Sequence, residues 1–233
     1  MIKIKTFIFN PFLVNTIVLS DETGEGVIID ASCYTQKEKE ELDQYIAENN
    51  IKPVRILNTH CHVDHLLGTT HVANKYNIGV EFHEEDLPLY ADAHRHGIVF
   101  GFEVEELPAV KSFLVDGQNI VFGNSSLEVM HVPGHSPGSV AFFNPQQKFV
   151  IVGDVLFKGT IGRTDLPGGQ YDQLIRSIST RLMILPRDTE VIPGHGPSTT
   201  IMEESRSNPF LTKKDIIINQ YYIWEHKDLH LGI

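Results

Sequence analysis

Residues 60–65 read His60-Cys61-His62-Val63-Asp64-His65, which places four potential metal ligands within six residues. His60 and His62 are two positions apart, so a nearly extended backbone points both side chains to the same side. Asp64 and His65 follow as the chain turns and can serve a second ion. Imidazole binds a first-row cation only when it is neutral and correctly aimed, so a folded scaffold must hold this loop. The segment therefore predicts a metal site, against the alternative of a chance cluster in a chain with 12 histidines.

Three further candidate ligands lie far downstream in the chain: His135, Asp154 and His195. Each follows an apolar, β-branched run and is surrounded by Gly and Pro, a pattern that predicts a strand ending in a sharp turn. A single histidine in such a turn is more often structural than a ligand. Their order after residues 60–65 favours one site that folding assembles from several loops.

The order of these motifs and the residues within them resemble the pattern of the metallo-β-lactamase superfamily. The resemblance covers residues 9–211. The resemblance implies an α/β (α+β) fold, a four-layer αββα sandwich with the metal site at one edge. It also implies two divalent ions that share one bridging carboxylate. By position, the first ion has His60, His62 and His135, the second has Asp64, His65 and His195, and Asp154 bridges them.

Within that superfamily, three segments resemble the short bacterial type II glyoxalase II enzymes, or hydroxyacylglutathione hydrolases. They are residues 153–169, 193–200 and 207–211. The resemblance implies hydrolysis of a small-molecule, glutathione-derived thiolester such as S-D-lactoylglutathione. The nucleophile is expected to be a metal-bridging hydroxide that Asp64 and Asp154 orient.

Arg163 lies nine residues after Asp154, where longer glyoxalase II enzymes place a lysine that contacts glutathione. It is therefore predicted to pair with a substrate carboxylate, and internal pairing with Asp165 or Asp172 is the alternative. The partners expected for the second nitrogen of each imidazole are Thr59, the neighbours of Asp64, and Ser136 or Ser139.

Several functions within the superfamily stay open. Ligand sets of nitrogen and carboxylate accept zinc, iron or manganese, and we expect zinc. A persulfide dioxygenase with mononuclear iron is one alternative, because such enzymes share the Gly-Arg-Thr-Asp motif found at residues 162–165. A lactonase or β-lactamase would use the same chemistry on a ring, and a nuclease would need a basic surface.

The amino-acid composition disfavours several other classes of protein. A formal charge of −11, from 19 basic and 30 acidic residues, disfavours nucleic acid as a partner. Two cysteines and no evident secretory signal predict reduced thiols in a cytoplasmic protein, with Cys61 facing away from the metals. The sequence contains no apolar stretch of about 18 residues, so no membrane span is expected.

We expect residues 1–233 to form a single domain. Residues 88–109 show no clear helix or strand period, and they are predicted to form either a flexible rim over the metals or a surface excursion. Residues 213–233 depart from the family and could pack on their own domain or contact a second subunit in a homo-oligomer. Hydrophobic spacing predicts helices at 35–50, 66–76 and 171–185, strands at 54–58 and 78–82, and antiparallel meanders at 2–30 and 119–152.

Overall fold

The computed structural model describes residues 1–212. The alternatives predicted for residues 213–233 lie outside the described residues. Within the described part, no helix is long and apolar enough to cross a bilayer.

Two six-stranded sheets form the framework. The first sheet is antiparallel through its first three strands and parallel from the third onward. Its strands follow the chain order: β1 (Lys3–Phe9), β2 (Val14–Ser20), β3 (Glu25–Ile29), β4 (Lys52–Leu57), β5 (Val80–His83) and β6 (Val110–Leu114).

The second sheet has the order β14-β13-β10-β9-β8-β7. Its strands β10 and β13 are parallel, while the other neighbours are antiparallel. A short hairpin, β11 (Leu156–Phe157) and β12 (Thr160–Ile161), extends from the end of β10. The six strands are β7 (Asn119–Phe122), β8 (Ser125–His131), β9 (Val140–Asn144), β10 (Phe149–Gly153), β13 (Glu190–Pro193) and β14 (Thr199–Thr200).

Helices cover the outer face of each sheet. Ile28 and Ile56 of the first sheet pack with Leu42 of the first helix in one apolar cluster, and Val150 of the second sheet packs with Leu174 in another. The helices are α1 (Gln36–Glu48), α2 (Thr69–Tyr76), α3 (Leu87–Ala91), α4 (Ala93–Phe100), α5 (Tyr171–Ser177) and α6 (Ile201–Ser207).

A third apolar cluster fills the space between the sheets. It joins Ile17 and Leu19 of β2 to Phe142 of β9 and Phe149 of β10. Successive side chains of a strand point to opposite faces, so β2 can serve both this cluster and the helical layer. The order helix, sheet, sheet, helix confirms the predicted αββα sandwich.

The predicted elements agree in kind and differ at their ends. The helix predicted at 35–50 is α1, and its N-cap Thr35 forms a capping box with Glu38. The helix predicted at 171–185 is α5, which ends at Ser177 and continues as a π-helical turn over Ile178–Leu182. Residues 88–109, whose sequence shows no clear helix or strand period, contain α4 and most of α3; at eight and five residues these helices are too short to show a clear hydrophobic period.

The topology brings the loops that carry candidate ligands to one edge. β3 and β4 are parallel neighbours in the first sheet, and β10 and β13 are parallel neighbours in the second. The carboxyl ends of parallel neighbours meet at the same edge of a sheet. The residues that follow these strands therefore face one another across the end of the sandwich.

Candidate metal centre

Three imidazoles meet at the end of the sandwich. His60 follows β4, and His135 follows β8. Nε2 of His135 lies 3.2 Å from Nε2 of His60 and 2.8 Å from Nδ1 of His62. His60 and His135 are almost fully buried, and His62 is 9% exposed. One cation can be held between these nitrogens, which are the ligand atoms that zinc and other first-row metals accept.

A second group adjoins the first. Asp64, His65 and His195 offer ligand atoms that all lie within 4.8 Å of one another. Asp154 lies between the two groups: its Oδ2 is 3.7 Å from Nε2 of His135 and 3.4 Å from Nε2 of His195. The structure thus brings all seven predicted ligands together, with Asp154 in the position of a bridging carboxylate.

Buried polar atoms without partners show that the group fits metal ions. Nε2 of His65 and Oδ1 of Asp154 are both buried without a hydrogen-bond partner, and they lie 3.5 Å apart. An unpaired buried polar atom costs about 1–3 kcal/mol, so a cation between a lone pair and a carboxylate would relieve both. The residues present match the chemistry of a binuclear site.

A hydrogen-bond chain aims two of the imidazoles. The Thr59 hydroxyl donates to Oδ2 of Asp30 at 2.7 Å, so its oxygen can accept from the Nδ1–H of His60 at 3.1 Å. Nδ1 of His65 lies 3.0 Å from the same Asp30 oxygen and donates to it. Both rings therefore turn Nε2 toward the site, which is how carboxylates outside a metal's ligand set orient histidines. Thr59 contacts His60 as predicted.

Backbone carbonyl groups orient the imidazoles of His135 and His195. Nδ1 of His135 lies 2.8 Å from the carbonyl oxygen of Arg163, and Nδ1 of His195 lies 2.9 Å from that of Phe12. A carbonyl oxygen can only accept, so each Nδ1 carries a proton, and Nε2 is the nitrogen that each ring can offer to a metal. Residues of the β1–β2 loop and of the segment after β12 therefore support ligands far away in the chain.

The electrostatics favour a cation. Burial lowers the pKa of His60 well below its ordinary value, and the neighbouring His65 ring lowers it further; burial also lowers the pKa of His62 to about 3. Burial alone would raise the pKa of Asp154, but the rings of His65 and His195 hold it well below its usual range. At the second ligand group burial opposes the charged form, but the carboxylates of Asp64 and Asp154 raise the pKa of His65 well above its ordinary value, and hydrogen bonds to Asp154 and Asp64 raise the pKa of His195 to about 9. His60 and His62 are therefore already in the neutral form that binds metal, whereas a metal ion at the second group would displace protons from His65 and His195.

Asp86 connects the two loops that supply the first ligand group. This carboxylate is fully buried and accepts from the backbone N–H of Cys61 at 2.8 Å, the N–H of Gly138 at 2.6 Å and the hydroxyl of Ser136 at 2.9 Å. Ser136 thus serves Asp86 rather than an imidazole. Cys61 packs in the apolar cluster under the first sheet, which agrees with the prediction that it faces away from the metals.

Close packing requires glycine at position 194. A Cβ atom there would overlap the carboxylate of Asp154 and lie 2.8 Å from Cε1 of His65. The N–H of Gly194 donates to the carbonyl of Gly153, and its carbonyl accepts from Asn15. The bare backbone lets β10 and β13 approach closely enough for Asp154 and His195 to meet.

A cavity of about 360 Å³ opens above the ligands, and Asp64, His135 and Asp154 form part of its floor. Arg163 lies on its wall, where its guanidinium makes two 2.7 Å hydrogen bonds to Asp165. This is the internal pairing that the sequence left as the alternative. Arg163 is exposed on the rim, within reach of the cavity.

Sequence reasoning missed two carboxylates, Asp30 and Asp86. Asp30 follows the apolar run Val27-Ile28-Ile29, the same signal that identified Asp154, so it could have been found. Asp86 follows two acidic residues in a short 3₁₀ turn and carries no such signal. Only its burial in the folded protein distinguishes Asp86 from an exposed acidic residue.

Comparison with known proteins places these features in a family. The model of the metallo-beta-lactamase superfamily matches residues 9–195. The probable metallo-hydrolase YqgX of Bacillus subtilis is 42% identical over 176 residues, which cover 75% of this chain and 83% of that protein. The hydroxyacylglutathione hydrolase GloC of Haemophilus influenzae is 37% identical over 212 residues, covering 87% and 95%. The crystal structure of TTHA1623 in a di-iron-bound form superposes with a TM-score of 0.80 at 36% identity, covering 89% and 100%.

Proposed function

The chain belongs to the metallo-β-lactamase superfamily, and on this premise we propose that it is a binuclear metallohydrolase that cleaves thiolesters. The fold and the His/Asp cluster make it a metal-binding hydrolase of this superfamily. Its similarity to the hydroxyacylglutathione hydrolase GloC, over nearly the whole length of that enzyme, supports a thiolester as the substrate.

The observation that carries the proposal is the position of Asp154. Its carboxylate lies within 4 Å of His135 in one ligand group and of His65 and His195 in the other, at the floor of an open cavity. A purely structural metal site is closed and needs no shared carboxylate under a cavity. We propose zinc as the metal, with iron supported by the di-iron form of TTHA1623.

The chemistry that two divalent ions supply in such a site is Lewis acidity, which acidifies water and polarises a carbonyl group. Asp64 and Asp154 present Oδ2 atoms that both lie 3.4 Å from Nε2 of His195 and that border the cavity. We assign to them the orientation of the attacking water and the acceptance of its proton. Both carboxylates are largely shielded and lie against the ring of His195, which favours one geometry with little reorganisation.

The leaving group needs little help from the protein. A thiolate has a conjugate acid with a pKa of about 8.5, so it departs without a strong general acid. Arg163 is proposed to contact an anionic part of the substrate, at the cost of exchanging its pairing with Asp165.

The test is the loss of S-D-lactoylglutathione, followed with protein reconstituted separately with zinc and with iron while oxygen is recorded in the same cell. We expect rapid thiolester loss without oxygen uptake, and none from metal-free protein. Oxygen consumption with a glutathione persulfide, without thiolester hydrolysis, would instead establish a dioxygenase and overturn the proposal.

A further inference from the structure

One side of the cavity above the metal ligands is made of hydrocarbon. Three separate segments contribute to it: the β1–β2 loop, the last turn of α4 and the loop after β12. The residue after His62 completes it. We call this surface the apolar wall; it consists of Phe12, Val63, Val99, Phe100, Leu166 and Pro167.

Aromatic contacts hold the apolar wall in place. The ring of Phe12 meets Phe100 edge to face at 5.8 Å and packs against Phe102 at 5.2 Å. Phe102 is buried and in turn meets Tyr34 edge to face at 5.2 Å. Such pairs add stability beyond the area they bury, so the wall exists before a ligand arrives.

The apolar wall is joined directly to the reacting centre. The backbone carbonyl of Phe12 accepts from His195, and Val63 lies between His62 and Asp64 in the ligand loop. A substrate carbonyl placed at the floor of the cavity therefore has the apolar wall within the same volume of about 360 Å³. A group attached to that carbonyl on the side of the wall would contact hydrocarbon.

Positive charge lies elsewhere. Among the described residues that line this cavity, only Arg163 and His96 can carry positive charge apart from the ligands; Arg163 is paired with Asp165, and Nε2 of His96 lies 3.4 Å from Asp92. A second, more open cavity, which also borders Asp154, is lined by Arg163 and by Lys158, whose ammonium group lies 3.4 Å from Glu203. Both side chains are more than half exposed, so an anionic thiol portion can replace their present partners there, which leaves the apolar wall to the acyl portion.

The apolar wall is also exposed at its outer end. Val99 is 75% exposed, Phe100 45% and Phe12 43%. Apolar groups of this size gain free energy when an apolar partner removes them from water. The outer end of the wall thus offers more hydrocarbon than a lactoyl group can cover.

We propose that the acyl group of the substrate is apolar, a linear aliphatic chain of several carbons or an aryl-substituted chain, and that it lies against the apolar wall. The inference rests on the proposed thiolester hydrolysis and specifies its substrate. It predicts that selectivity increases with the hydrocarbon content of the acyl group and not with its hydroxyl group.

The test uses metal-loaded protein and an acyl series of acetyl, D-lactoyl, butyryl, hexanoyl and phenylacetyl thiolesters. Each acyl group is attached both to glutathione and to N-acetylcysteamine, an uncharged thiol. We expect kcat/KM to increase about fourfold for each added methylene on either thiol, until the wall is covered. Val99→Ser should reduce the ratio of hexanoyl to lactoyl kcat/KM several-fold. Ile98→Ser is the matched control: its side chain is 67% exposed on the same helix and does not line the cavity, so the ratio should stay constant.

A binding measurement provides a second readout without turnover. S-hexylglutathione should bind more tightly than S-methylglutathione in calorimetry, with a more negative heat-capacity change, and Val99→Ser should diminish both differences. A flat or falling acyl series, or equal binding of the two thioethers, overturns this inference and leaves thiolester hydrolysis standing. If no thiolester of either thiol is hydrolysed, the proposed function fails and the inference fails with it.

Discussion

The backbone N–H of Cys61 donates a 2.8 Å hydrogen bond to the fully buried carboxylate of Asp86, 25 positions further along the chain. The same carboxylate accepts from Ser136 and Gly138, in the turn that directly follows His135. One side chain outside the ligand set therefore fixes the spacing between the loop of His60 and His62 and the loop of His135.

Removing that carboxylate should weaken metal binding. In Asp86→Ala, three buried donors lose their acceptor, and we expect the affinity for zinc to fall about 10–100-fold. Competition with a chelator measures it. Asp21→Ala is the matched control. Asp21 is also a buried carboxylate with several hydrogen bonds, but it lies beyond the end of β2 that is far from the candidate metal centre. Both variants should lose thermal stability, and equal metal affinity in the two would contradict the role given to Asp86.

Asp154→Ala should affect both ions. Because its carboxylate adjoins both ligand groups, we expect metal analysis to show loss at the second site and kcat to fall by more than about 100-fold. Asp188→Ala, which removes an exposed carboxylate paired with Lys148, serves as the control and should keep full metal content and activity. Full activity with two tightly held ions in Asp154→Ala would contradict the bridging role proposed for Asp154.

Arg163 and Asp165 should act in opposite directions on substrate affinity. Arg163→Ala is expected to raise KM for anionic thiolesters several-fold and to spare uncharged ones, because we propose that the guanidinium pairs with a substrate carboxylate. Asp165→Asn frees the guanidinium from its present partner and should lower the same KM. Arg181→Ala, at a surface ion pair with Asp116, is the control. An equal loss for anionic and uncharged substrates would leave Arg163 a structural residue.

Stability should depend on Asp21 in acid. Burial opposes its charge, but hydrogen bonds from Thr23, Asn124 and Ser125 outweigh that effect and lower its pKa from 3.8 to about 2. A carboxylate with a lowered pKa stabilises the fold above its unfolded value, and this contribution is lost as the pH falls through the folded value. Asp21→Asn should therefore lower the free energy of unfolding by about 2 kcal/mol at pH 7 and by progressively less between pH 4 and pH 2. A pH-independent difference in urea unfolding would contradict this account.

The local parts of the metal centre were predictable from the sequence. The predicted ligands lie in short motifs where an apolar run ends in Gly and Pro, and such a pattern depends only on neighbouring residues of the chain. The order of those motifs identified the superfamily and with it the αββα sandwich, which the structure and the comparisons confirm. The assignment of the seven ligands to two ions stays a prediction until metal is measured.

The contacts of the two carboxylates that support the ligand loops, Asp30 and Asp86, and the apolar wall could be identified only from the tertiary structure. Asp30 and Asp86 are ordinary acidic residues in the sequence, and only folding buries them among the N–H and O–H groups of loops 25–52 positions away. Val99 and Phe100 belong to a helix too short to show a hydrophobic period. Which residues meet across the end of the sandwich is decided by strand order and sheet packing. Those contacts join distant parts of the chain, whereas sequence patterns report the conformation of neighbouring residues.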